Sequence, residues 1–200
     1  MAVAVFLAVA GVCGVSAAMV SGAQASTVRH SVTDDQSDDN FSFDLPGTVT
    51  GKVVDTAGVP ANLLHGVGNA MGSTEVGGSV LSTFETADGM QTLISVPSAN
   101  APQEYRFQVA LPAGIKAAGF RDGGIAFVDD NASAVGALRP PWAFDARGAA
   151  VKTFFRADGQ VAVLSLRVTP DMVFPVVAGI DEAVQEDVNH SQPIDPGTGL

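Results

Sequence analysis

Cysteine is almost absent: of 200 residues only Cys13 carries a thiol, inside an uncharged apolar stretch at the N-terminus. Once that stretch is removed, thiol catalysis, Cys-ligated zinc and disulfides are excluded together. Reading Cys13 as a lipidated residue is disfavoured because bulky Val12 stands directly before it. Basic residues are also scarce: ten Lys and Arg face 21 Asp and Glu, for a net charge of −11. Such a chain lacks the counterion-releasing basic face that drives nucleic-acid binding, and anionic membrane surfaces repel it. The three histidines, His30, His65 and His190, stand alone, and none has a second histidine or a cysteine two or four residues away, so neither a metal nor a cofactor is expected.

Long hydrophobic runs are missing everywhere except residues 2–20, which carry no charge. Ser21-Gly22-Ala23-Gln24-Ala25-Ser26 follows, and Ala23 and Ala25 give the small-x-small pattern that a signal peptidase requires. The expectation is a signal peptide over residues 1–25, cleaved after Ala25, and a secreted or cell-wall-associated product. The basic residues that usually open a signal peptide are absent, and residues 2–20 are long enough to span a bilayer. The alternative is therefore a retained anchor and a membrane-tethered surface protein, with membrane contact only in that case.

Residues 26–44 are polar and acidic, with Asp34-Asp35-Gln36-Ser37-Asp38-Asp39-Asn40 at their centre, and read as a flexible linker. A calcium loop beginning at Asp34 would need Gly at its sixth position and Glu at its twelfth, where Asp39 and Leu45 stand. The folded domain is expected over 45–178, beginning with a strand over Thr48–Asp55 and with its core over 79–178. The Gly- and Asn-rich stretch 57–78 reads as either a loop or a short helix. Residues 179–200, acidic and short of large apolar groups, read as a disordered tail with a helical turn near Glu182–Asp187.

From residue 79 onward, short half-apolar runs alternate with turns. The expected strands are 79–86, 90–96, 104–111, 115–121, 124–129, 133–138, 151–156, 160–168 and 173–178. In Tyr105-Arg106-Phe107-Gln108-Val109-Ala110-Leu111 the odd positions are apolar, which buries one face and wets the other. Asp88-Gly89, Asp122-Gly123 and Asp158-Gly159 supply turn chemistry, and prolines punctuate strand ends. The fold class is all-β: a two-sheet sandwich of roughly seven to nine short strands with signal peptide and disordered flanks. After cleavage about 175 residues remain, enough to bury roughly 70% of the unfolded surface without a staple.

The order of segments carries a resemblance. Ala101-Pro102-Gln103-Glu104-Tyr105-Arg106-Phe107 is followed by Asp122-Gly123-Gly124, then Phe127-Val128-Asp129. Pro140-Pro141-Trp142-Ala143-Phe144-Asp145-Ala146 and Phe174-Pro175-Val176-Val177 complete the series. Over about residues 85–178 this resembles a β module of secreted actinobacterial proteins. That module also occurs before YD-repeat or wall-associated regions and in short exported proteins. The resemblance implies export and a β module, and brings no catalytic residues. The chain departs from it after Val177, where Ala178-Gly179-Ile180 replaces an acidic residue and proline.

Within this series Arg139-Pro140-Pro141-Trp142-Ala143-Phe144-Asp145 is the candidate interaction surface. Two prolines hold the backbone extended, and Trp142, the only tryptophan, with Phe144 and Arg139 offers a surface for stacking on a sugar or docking a peptide. The competing reading has Trp142 capping the end of the core beneath a loop. A Ser–His–Asp hydrolase would have to use His65 and lacks a G-x-S-x-G elbow. Paired carboxylates are spatial neighbours that sequence does not reveal, and Asp122 and Asp129-Asp130 read as turn residues. The expected function is a non-enzymatic exported module for cell-envelope association, with a protein or wall-glycan partner. The alternative is a secreted hydrolase, which needs convergent acidic or His/Ser groups in a real pocket.

Overall fold

The computed structural model describes residues 29–31, 42–87, 89–120 and 122–184. The leader with Cys13, Ala23 and Ala25, most of the acidic stretch 26–44 and residues 185–200 lie outside the described residues. Among the described residues there are fourteen strands, and the only helical element is a 3-10 turn at Ala61–Leu63. Among the described residues no helix is long and apolar enough to cross a membrane.

The strands are β1 (Arg29–Ser31), β2 (Ser42–Asp44), β3 (Thr48–Val49), β4 (Val67–Val76), β5 (Ser79–Thr86), β6 (Gly89–Val96) and β7 (Glu104–Ala110). They continue with β8 (Lys116–Gly119), β9 (Ile125–Val128), β10 (Ala134–Leu138), β11 (Trp142–Phe144), β12 (Thr153–Asp158), β13 (Val161–Leu166) and β14 (Val176–Val184). Five form a sheet in the order β1-β2-β7-β13-β12; nine form a second along β3-β4-β5-β6-β14-β10-β9-β8, with β11 also paired to β14. The architecture is that of a β-sandwich.

Period-two alternation decides which faces meet. In β7 every second residue is buried: Tyr105, Phe107 and Val109 point inward, and Glu104, Arg106, Gln108 and Ala110 stay exposed. Phe107 stacks on Phe43 of β2 at 4.6 Å between ring centroids. From the larger sheet Leu81, Ile94, Val96, Ile125, Phe127, Leu138, Val176, Ala178 and Ile180 complete the core between the sheets. The Tyr105 hydroxyl, buried with the ring, is satisfied by Ser79 Oγ at 2.7 Å. Burial nevertheless pushes its phenol above the ordinary range.

Five expectations need correction. The described residues hold fourteen strands rather than seven to nine, because segments of only two or three residues also pair into the sheets. The strand expected over Thr48–Asp55 stops at Val49. Residues 57–78 are neither simply loop nor helix: they end in the ten-residue strand β4, closed onto β5 by the Gly77-Gly78 turn, both glycines at positive φ. Within the stretch expected as a linker, Arg29–Ser31 and Ser42–Asp44 are paired strands. The tail does not begin at 179: β14 runs through Val184, and Glu182–Val184 is strand rather than helical turn. Its acidic residues continue the ladder: β14 pairs with β6 over Val176–Asp181 on one side, and with β11 over Val177–Gly179 and β10 over Glu182–Val184 on the other.

Candidate functional site

The site begins with two prolines. β10 and β11 run in succession along the same edge of β14. Leu138 pairs with Glu182 and Trp142 with Gly179, so four steps on one strand match three on the other. The extra residue falls at Pro140-Pro141, which have no N–H to give the ladder. Because side chains alternate, one added residue reverses the faces. Leu138 points into the core, and after the bulge Ala143 does so, while Trp142 and Phe144 turn to the outer face of the large sheet.

There Trp142 lies over Gly179, its cross-strand partner, and its ring centroid is 6.1 Å from that of Phe144. Residues 50–66 cross the same outer face. Val54, Val59 and Leu64 pack with Leu93, Val177, Val80, Phe84 and Trp142 in a second, smaller apolar cluster. The half-buried Trp142 is thus a packing residue beneath a loop, although it sits outside the sandwich rather than at the end of the main core.

A polar network borders this cluster. Asp181 on β14 accepts from Gln91 Nε2 at 2.6 Å and from Trp142 Nε1 at 3.2 Å. Its other neighbour is His65, with Nδ1 3.6 Å from Asp181 Oδ1 and Nε2 3.1 Å from the Asn62 carbonyl. The Arg139 N–H donates to the Asp181 carbonyl at 2.9 Å, which carries the ladder one residue beyond β10. His65, Thr86, Ala87, Met90, Arg139, Asp181 and Glu182 line a cleft of about 260 Å³. A second cleft of about 340 Å³ is mostly apolar, lined by Val59, Phe144, Pro175 and Val177 together with Asp55 and Asp145.

Both clefts open on one face. On β14 the outward residues are Val177 in the apolar cleft, Gly179 under Trp142, and Asp181 in the polar one. Four residues of strand separate the two ends, about 13 Å. Of the three residues expected at an interaction surface, Phe144 lines one cleft, Arg139 the other, and Trp142 forms the ridge between them. Sequence reasoning missed Gln91 and left Asp181 and Glu182 in a tail. The alternating apolar Val176, Ala178 and Ile180 were the signal that a strand continued there.

Glu182 stands apart from this network. On β14 it has the parity of Val176, Ala178 and Ile180, so it points into the space between the sheets. It is 4% exposed, and neither carboxyl oxygen has a hydrogen-bond partner among the described residues. Desolvation pushes its carboxyl up to about 8.

Asp145, at the end of the motif, has the opposite environment. Its buried carboxylate accepts from the N–H groups of Ala149 at 2.9 Å, Val173 at 3.2 Å and Arg147 at 2.9 Å, and from the Arg147 guanidinium. Those donors, the Ala149 N–H foremost, hold it down at about 2. Its stabilising effect is therefore complete above the ordinary carboxylate pKa and is lost as pH falls through about 2. Asp145→Ala orphans three backbone donors, and its thermal midpoint is expected to fall well below wild type at pH 7. The gap should narrow between pH 4 and pH 2 as the wild-type carboxylate is protonated. A constant gap across that range would contradict this role.

Among the described residues no group of three or more His, Cys, Asp or Glu side chains is arranged to hold a metal ion. Compared with protein-family models, curated proteins and solved structures, the chain matches none, and the case for this site stands on its own geometry.

Proposed function

We propose that this is an exported, non-enzymatic β-sandwich protein that associates with the cell envelope, binding a protein or wall-glycan partner across the outer face of its large sheet. The observation that carries this reading is the pair of clefts on one face, one apolar and one polar, on either side of the Trp142 ridge. An elongated ligand lying along β14 would reach both. Aromatic, guanidinium and imidazole groups beside apolar walls are the usual means of fixing such a ligand.

Binding is favoured over hydrolysis because the polar groups already serve the fold. Both Asp181 oxygens accept internal hydrogen bonds, His65 Nε2 faces a backbone carbonyl, and the Glu182 carboxyl is sealed from solvent. Export is supported by the uncharged apolar leader and its Ala23-x-Ala25 site.

The test is to express the full chain in an actinobacterial host, take the intact mass in each cell fraction, and co-sediment the protein with purified cell walls. The expected result is a mass beginning at Ser26 in the medium or wall fraction, with wall retention reduced about tenfold in Arg139→Ala and Phe144→Ala. Retention that neither substitution changes would rule out this face as the binding surface. A full-length mass in the membrane pellet would replace the secreted form with a tethered one.

A further inference from the structure

We infer that residues 51–65 form a strap that opens as a unit while both sheets stay intact, and so gates the outer face on which Trp142 lies. The inference concerns regulation of the proposed binding face and rests on that reading only for its functional meaning; the opening itself is a property of the free protein.

The hydrogen bonding of this segment sets it apart. Thr50 N–H donates to the Ser73 carbonyl, the last backbone bond to the sheet before the chain leaves it. From there to the start of β4, among the described residues, backbone–backbone bonds are internal: Val59 to Thr56, Leu63 to Pro60 and Leu64 to Ala61. Side chains make the attachments to the sheet. Ser82 Oγ accepts from Val54 N–H at 3.0 Å. At the other end Gln91 Oε1 accepts from His65 and Gly66 N–H at 3.1 and 3.2 Å, and Gln91 Nε2 donates to the Leu63 carbonyl at 2.8 Å. An exposed Lys52–Glu75 ion pair adds little.

Packing of the strap is equally sparse. Three apolar side chains, Val54, Val59 and Leu64, fasten it to the sheet, and only Val54 is fully buried. The sheet beneath has its own continuous ladder through β4, β5, β6 and β14, none of which depends on the strap. A segment held by few apolar contacts and by side-chain contacts alone, His65 to Asp181 among them, over a ladder that is complete without it, is the unit that opens first. Gly66 fixes where the opening stops: a Cβ there would meet the Phe84 side chain, with Cγ at 2.9 Å, so the chain at the start of β4 is pressed against the sheet.

Both clefts have a wall from this strap, Asp55 to Val59 in the apolar cleft and His65 in the polar one. Opening therefore merges the two clefts and uncovers Leu93, Val177 and the outward side of Trp142. An elongated partner would gain apolar contact only after the strap has moved.

Hydrogen exchange of the full chain, without any ligand, tests this directly. Amides of Val54 and His65 are expected to exchange about a hundredfold faster than those of β5, β6 and β14. Ser82→Ala should speed the Val54 amide about tenfold further and increase acrylamide quenching of Trp142, leaving the sheet amides unchanged. Gln91→Ala should do the same at the His65 end. Strap amides that exchange at the sheet rate in the wild-type protein would overturn the proposal without any variant. Equal exchange in wild type and both variants would do so too. Loss of wall retention with a fast strap would sink the binding reading alone; retention with a strap that exchanges with the sheet would sink this one alone.

Discussion

Gly179→Ala is expected to destabilise the protein by about 3 kcal/mol, although it adds one methyl group to a backbone that has no unusual φ. A Cβ at that position would lie inside the contact distance of Trp142 Cζ2 and Cε2 and 2.7 Å from Nε1. The ring must tilt off β14, and tilting breaks its hydrogen bond to Asp181. Overpacking of this kind costs about 1–3 kcal/mol. A lost hydrogen bond to a charged acceptor costs about 1.5–3 kcal/mol. The two overlap because the same ring movement produces both. The decisive measurement is a double-mutant cycle in urea with Trp142→Leu, in which Gly179→Ala should cost less than about 1 kcal/mol. Because Trp142 is the only tryptophan, its emission should also shift to the red in Gly179→Ala alone. An equal cost in both backgrounds would show that the indole does not cover this glycine.

Glu182→Met is expected to stabilise the protein strongly in alkaline solution and hardly at all in acid. An unfolded glutamate loses its proton near 4.5, whereas burial pushes the folded one up to about 8. Between those values the folded state holds a proton that the unfolded chain has released. Stability therefore falls as pH rises from about 4.5 to about 8, and is level above that. The gap amounts to about 5 kcal/mol at the alkaline end. Methionine has a similar volume and no charge to desolvate, so the variant should lack this decline. The check is urea unfolding at pH 4.5, 6, 7.5 and 9, following the difference between the two proteins. That difference should grow with pH and level off; parallel curves would mean that Glu182 has a partner or reaches solvent. Glu182→Gln should also remove the decline, yet remain less stable than the methionine variant because a buried amide is left unpaired.

The two substitutions fall on the part of β14, from Gly179 onward, that sequence reading left outside the domain. The reason is physical. Asp181 and Glu182 together look like solvent-facing residues, because a charge is rarely buried without a partner. In the fold one of them has partners from Gln91 and Trp142, more than thirty residues away in sequence, and the other avoids the charge by keeping its proton. Neither solution has a local signature. The three-residue strands β1, β2 and β11 escaped notice for a related reason, since three residues are too few to show a period.

Where the pattern was long enough, it was sufficient. The expected strands 79–86, 104–111 and 133–138 match β5, β7 and β10 closely, and β13 lies between two neighbours as its continuous apolar run required. The Arg139–Asp145 motif was legible as special, but its geometry was not. Alternation assigns residues to two faces without saying which face is the core, and a single bulge residue exchanges them. The sequence by itself determined the all-β class, most of the long strands and the scarcity of thiol and cationic chemistry, because these follow from composition and local period. Only the tertiary structure decided that Pro140-Pro141 turns Trp142 outward, that residues 51–65 lie over it, and that Asp181 joins His65, Gln91 and Trp142. Those are pairings between distant segments, fixed by register and burial, and no local stretch of chain contains them.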